Sequence, residues 1–251
     1  MLKITFILIL AVVIASFAFA AWAAAPQIFW GQEKPLGQGT IRTWVRLDNA
    51  GKPTAIGVTF SEAALSGLPD TMPYTEYVLT FPAQAKEVPF SHFVANWNPK
   101  GHIPPGVFDV PHFDFHFYLI SPQVRDGITA TGDDLAKMLK NPEARYIPQD
   151  YMTVPGAAEP RMGNHWLDLG QPEFHGQPFT VTFIYGFYDG ELAFIEPMAT
   201  RAFLQTKPSF TAPIKQPAEF LAHGYYPTSY SVKYDPAGKC YTVALEGLTL
   251  R

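Results

Sequence analysis

Val110-Pro111-His112-Phe113-Asp114-Phe115-His116-Phe117-Tyr118 decides how the chain reads, because from His112 onward polar and apolar residues alternate without a break. A β-strand sends successive side chains to opposite faces. As a strand, residues 112–118 place Phe113, Phe115 and Phe117 on one face and His112, Asp114, His116 and Tyr118 on the other. The phenylalanine face needs a core to pack against. The opposite face carries groups that hold a metal or a substrate.

Outward from this stretch, short alternating segments are divided by dense punctuation, 24 Pro and 19 Gly in 251 residues. That pattern marks an all-β chain, a single antiparallel β-barrel or sandwich, cupin-like in general architecture, with one or two short helices and long Pro-rich loops. Three hairpins stand out. One runs from Ile41 to Leu47, turns at Asp48-Asn49-Ala50-Gly51 and returns through Thr54 to Phe60; another runs from Ser229 to Tyr234, turns at Asp235-Pro236-Ala237-Gly238 and returns through Leu245. Asp, Asn, Pro and Gly occupy the positions that turn geometry favours.

The third hairpin joins Phe179–Tyr188 to Glu191–Met198 through Asp189-Gly190, the favoured pair for a two-residue type I′ turn. In a ladder without a bulge, Tyr188 faces Glu191, Tyr185 faces Phe194 and Phe183 faces Glu196. Glu196 then shares a face with Leu192, Phe194, Tyr185 and Phe183. A carboxylate in such company needs a partner or a metal. Helix is scarce, and its clearest case is Asp134–Lys140, capped by Thr131 or Asp133 and stopped at Asn141-Pro142. The Pro-rich segments near 142–160 and 205–217 read as long ordered loops, pinned by Tyr146, Tyr151, Phe203 and Phe210.

Composition narrows the function classes. Aromatic residues make up 15% and charged residues 16%, the balance of a packed globule. Net charge is −4 and no basic run occurs, which argues against nucleic acid as a partner. Cys240 is the only cysteine, so an intramolecular disulfide, a zinc finger and thiol redox chemistry are excluded; its strand-like surroundings make it a small filler. Residues 1–23 combine Lys3, an apolar run and small residues suited to cleavage, the pattern of an export signal, leaving 24–251 as one extracytoplasmic domain. The rival reading is a retained anchor, which would make an uncleaved signal the one membrane contact. The G-x-S-x-G, H-E-x-x-H, G-x-G-x-x-G and Walker patterns are all missing.

The candidate metal ligands are His112, Asp114, His116, His165 and Glu196. Imidazole with carboxylate suits one divalent transition metal, zinc, iron, manganese or copper, and suits calcium poorly. In a flat strand the Cα atoms of His112 and His116 lie about 13 Å apart, against about 6.6 Å for neighbours on a face. The two histidines share an ion only if the strand bends. Otherwise one of them supports the site from outside, or His112, Asp114, His116 and Glu196 form a metal-free hydrogen-bonded network. Tyr118 is the candidate catalytic group, as an acid or an orienting hydroxyl. His165 closes the site from a loop or serves only its turn, and His102, between Gly101 and a Pro-Pro pair, rims a pocket or is simply solvated. His92, His175 and His223 have no partner pattern.

The motifs Trp97-Asn98-Pro99, Gly101-His102, Gly106 to Tyr118, Met162-Gly163-Asn164-His165-Trp166, Tyr185 to Gly190 and Glu196-Pro197-Met198 resemble an uncharacterised family of exported bacterial proteins, a domain of unknown function. That family is grouped with a Thermus protein controlled by a sigma-E/anti-sigma-E pair, and the resemblance runs over most of the mature chain. It implies a β-rich domain and a ring-like homo-oligomer, and it supplies no reaction. The expectation is therefore an exported metal-binding β-barrel with a mononuclear site, acting as a metal-dependent oxidoreductase on a small organic substrate. The alternatives are a binding protein for an apolar small ligand, and a structural envelope or stress protein with a metal-free network.

Overall fold

The computed structural model describes residues 26–251, so the export signal expected over 1–23 lies outside the described residues. Strand is the main regular structure of the described residues, and every strand pairing among them is antiparallel. One seven-stranded sheet runs in the order Gln27–Trp30, Gly39–Leu47, Pro53–Ser61, Cys240–Glu246, Ser229–Asp235, Ser209–Pro213, with Lys34–Leu36 also paired to Gly39–Leu47. The other runs Thr75–Thr80, His92–Asn98, His112–Tyr118, Glu191–Thr200, Val181–Tyr188, Gly163–Asp168, Tyr151–Glu159. Tyr225–Tyr226 and Thr249–Leu250 form a small third pair. The α-helices described are short, Pro122–Asp126, Gly132–Met138 and Arg201–Gln205. None is long and apolar enough to cross a membrane.

Neither large sheet closes on itself, which corrects the barrel half of the fold expectation. The two sheets instead stack, and the phenylalanine face of His112–Tyr118 lies between them. Phe60 of the first sheet meets Phe113 and Phe115 at ring distances of 6.1 and 5.9 Å, and Phe183 meets Tyr230 at 5.0 Å. A single apolar cluster draws on both sheets. The Pro-rich segments, expected as loops, contribute the edge strands Tyr151–Glu159 and Ser209–Pro213. Proline cannot donate to a ladder, so an edge is where a strand containing Pro155 or Pro213 fits.

The first and last hairpins pair as expected. The Asp-Gly hairpin starts as expected, with Tyr188 opposite Glu191, and then shifts register. Phe187 pairs with Leu192 but Gly186 pairs with Phe194, leaving Ala193 as an extra residue. A bulge of one residue exchanges the faces of everything beyond it. Glu196 therefore lies opposite Ile184 and not Phe183, while Phe183, Tyr185 and Leu192 turn to the core between the sheets. This corrects the company expected for Glu196: Phe194 stays on its face, and the other three do not.

His112–Tyr118 lies well inside its sheet, and every residue of it is buried on both faces. The outer face is covered by Met162, Tyr74, Ile120 and Tyr188 around Tyr118, and by Phe108 and Phe179 around His112. Arg125, 2% exposed, pins this cover: its guanidinium lies over the Tyr118 ring at 5.2 Å and ion-pairs with Glu76 and Asp126. Removing one partner of such a buried pair strands the other charge.

Phe115 touches Phe60, Phe93 and Phe113 at the centre of the core. Phe115→Ala should lower unfolding free energy by about 3–5 kcal/mol in urea titrations, the cost of an aromatic truncation with an incompletely collapsed cavity. A loss under about 1 kcal/mol would mean that the sheets do not meet there.

Candidate functional site

The outward face of the second sheet is a buried polar surface. Its strands place Asn98 beside His112, Asn96 beside Asp114, Val94 beside His116 and His92 beside Tyr118. On the other flank, Met198 lies opposite Asp114 and Phe194 opposite Tyr118, which brings Glu196 level with His116. Gly186 aligns with His165 on the next strand. The five expected ligands do not converge on one point. With His102 they form two groups, His102–His112–Asp114 and His116–His165–Glu196, each with three donor atoms within 4.8 Å of one another.

In the first group, His112 Nδ1 lies 2.7 Å from the Val110 carbonyl and His102 Nδ1 lies 2.7 Å from the Ile103 carbonyl. A carbonyl only accepts, so each Nδ1 carries the proton and each neutral ring turns the Nε2 lone pair inward. The two Nε2 atoms are 3.0 Å apart; Asp114 Oδ1 is 3.0 Å from His112 Nε2, and Asp114 Oδ2 is 3.5 Å from His102 Nε2. Facing lone pairs at that distance repel unless a cation, either a proton or a metal ion, lies between them. Asn98 Nδ2 donates to Asp114 Oδ2 at 2.6 Å and fixes the carboxylate. Burial opposes the Asp114 charge, but His112 and His102 outweigh it and hold its pKa well below the carboxylate range. Burial also opposes the His102 charge, and Asp114 more than offsets this, lifting the imidazole above its ordinary value.

His102, its side chain 35% exposed, thus reaches the polar face from a loop and rims the first group. Gly101, at φ +71°, lets the loop fold back so that His102 N–H reaches the Phe108 carbonyl at 3.1 Å; a Cβ on Gly101 would sit 2.1 Å from that same oxygen. The Gly-His dipeptide was the available signal, since only glycine enters that conformation freely.

In the second group, His165 Nδ1 donates to the Ala157 carbonyl at 2.7 Å, so its Nε2 lone pair faces Glu196 Oε2 at 3.8 Å. His116 Nε2 is 3.5 Å from the same oxygen. Both rings are held by Phe194, whose ring lies 4.8 Å from His116 and 5.1 Å from His165. Gly186 makes this possible, because a Cβ there would lie 2.0 Å from the Phe194 ring. Burial pushes Glu196 well above the carboxylate range, with Asp114 adding to it; burial also drives His116 down and His165 to about 4.

Seven of the thirteen buried side-chain atoms that lack a hydrogen-bond partner among the described residues lie on this face: His92 Nε2, both Asn96 amide atoms, Asp114 Oδ1, both His116 nitrogens and Glu196 Oε2. Each such atom costs about 1–3 kcal/mol, so their concentration here marks a surface shaped for something other than stability. Tyr118 meets this surface with its ring, stacked 5.4 Å from His116 and 4.8 Å from His92, while its hydroxyl donates to the Arg161 carbonyl at 3.3 Å. Burial raises its pKa, so the hydroxyl keeps its proton. His92, Asn96 and Asn98 were not singled out from sequence, although their alternation with Phe93, Ala95 and Trp97 is as strict as that of the neighbouring strand. His175 and His223 are exposed and remote from either group.

A cavity of about 220 Å³ opens over the face, with His102, Asp114, Asn98 and His165 among its polar lining and Ile103, Phe108, Met162 and Leu167 among its apolar walls.

Residues 48–97 match a family model described as TTHB210-like, hypothetical protein TTHB210. The similarity accords with the expected resemblance to that Thermus protein, over a shorter stretch than expected from the motifs. It ends at Trp97, before the ligand strand. No curated protein and no solved structure matches the chain.

In chelator-treated protein, the raised Glu196 pKa makes proton binding favour the folded state. That contribution is complete below the ordinary value of 4.5 and is lost as pH rises toward the folded value. Glutamine binds no such proton. Urea midpoints at about pH 5, 6.5 and 8 should therefore show Glu196→Gln gaining stability over the parent chain as pH rises, by at most about 1.4 kcal/mol per pH unit. A pH-independent difference would show that Glu196 is ionised when folded.

Proposed function

We propose that this is a metal-binding protein, with a divalent transition-metal ion held by His102, His112 and Asp114. What carries the reading is the pair of Nε2 lone pairs turned toward each other at 3.0 Å by two carbonyl-anchored Nδ1 protons. Around an ion with ligands at about 2.0–2.2 Å, donor atoms stand roughly 2.8–3.6 Å apart; here His112 Nε2 lies 3.0 Å from His102 Nε2 and 3.0 Å from Asp114 Oδ1, while His102 Nε2 lies 3.5 Å from the other carboxylate oxygen, Asp114 Oδ2. Two imidazoles and one carboxylate suit zinc, iron(II), manganese or copper, and leave positions for an outside ligand. Asn98 does for Asp114 what outer hydrogen bonds commonly do for metal-binding carboxylates.

An ion held there would border the cavity that His102 and Asp114 line, whose apolar walls favour a small molecule with an apolar body and a metal-seeking end. An oxidoreductase acting on such a molecule is the enzyme reading this supports, with a non-catalytic binder of the same ligand as the second reading, favoured by the apolar walls. Export to an extracytoplasmic compartment and assembly into a homo-oligomer belong to the proposal, resting on residues 1–23 and on the family likeness. So does the cupin-like description, in the limited sense of metal ligands carried on antiparallel strands.

Elemental analysis of the untagged protein, purified without chelators, should find a transition metal. His112→Ala should abolish most of the first-group binding, Asn98→Ala should weaken it about 10–100-fold, and His175→Ala should leave it unchanged. Less than about a tenth of an equivalent of any transition metal, with no uptake on titration, overturns the reading.

A further inference from the structure

We propose that a second divalent transition-metal ion is held by His116, His165 and Glu196, so that the cavity faces two ions and not one. The inference deepens the metal-binding reading of this face, yet it stands on separate residues. Along a strand, His112 and His116 are four residues apart, about 13 Å between Cα atoms, which is too far for one ion to take both. Asp114 lies between them and turns to the first group. The second group has its own complete donor set, again two imidazoles and a carboxylate, from three different strands.

Three observations point to a ligand here. Both nitrogens of His116 and Oε2 of Glu196 are fully buried without a hydrogen-bond partner among the described residues, although a neutral imidazole and a carboxyl group 3.5 Å apart need only a small shift to bond. His165 has its proton committed to the Ala157 carbonyl, so a lone pair and not a donor faces Glu196. The side chains are also held in place: Tyr118 stacks on His116, and the Phe194 ring, seated on the bare Gly186 backbone, wedges against both imidazoles. Packing that holds donors apart around a common point is what a preorganised ion site requires. The spacings of 3.5 and 3.8 Å are wider than the 3.0 Å contacts of the first group, and the three donor atoms all lie within 4.8 Å of one another.

Both groups reach the same cavity, the first through His102 and Asp114 and the second through His165. A small molecule in it would be offered two Lewis-acidic centres on one strand face. The donor types again select zinc, iron, manganese or copper over calcium.

The test counts ions on the full, untagged chain after chelator treatment and reloading with zinc or cobalt(II), with circular dichroism as the folding control. Wild-type protein should bind two equivalents. His112→Ala with Asp114→Asn should leave one, His165→Gln with Glu196→Gln should leave one, and the fourfold variant none. Glu196→Gln mimics the neutral carboxyl group and His165 sits at the cavity rim, so the second pair keeps the fold testable. One equivalent in wild type, lost in the first pair and unaffected by the second, overturns the second ion and leaves the first standing. One equivalent lost in either pair means a single shared ion and also overturns it. No binding in any form removes both readings.

Discussion

A strand buried on both faces carries polar groups on one of them only if those groups satisfy one another or something they bind. His112–Tyr118 is in that position: three phenylalanines fill the space between two sheets, and His112, Asp114 and His116 lie under a cover on the other side. Most of the second sheet's organisation follows from this. Flanking strands bring Asn98, Asn96 and Glu196 to the same face, a more distant strand adds His165, and Arg125 ties the covering segment to the sheet by its ion pair with Glu76.

Two donor groups arise on one strand because of a period mismatch. Neighbours on one strand face, about 6.6 Å apart at Cα, can serve one ion, as His112 and Asp114 are placed to do, but His112 and His116, about 13 Å apart, cannot. Each group must therefore complete itself sideways or from above. The first is completed by a loop histidine; the second is completed across the sheet by a neighbouring glutamate and a histidine two strands further on.

Strict alternation and turn chemistry made the strand, its two faces and the first and last hairpins legible in the sequence, because these depend on residues close together. Distances along the strand also gave the warning that His112 and His116 do not automatically meet. What stayed hidden depended on the third dimension. The Ala193 bulge has no sequence mark of its own, yet it turned Phe183, Tyr185 and Leu192 away from Glu196. Proline suggested loops where edge strands tolerate it. His102 looked solvated because nothing short of the folded-back loop at Gly101 shows where its ring goes.

In each group, two donors sit on strands paired on both sides, and the third comes from a less constrained place: His102 from a loop, His165 from the strand next to the Tyr151–Glu159 edge, whose pairing is interrupted between Thr153 and Ala158. These are also the two histidines that line the cavity. The rings of His102 and His165 thus stand between the cavity and the donors buried in the sheet behind them, so that whatever the cavity takes in meets these two imidazoles first.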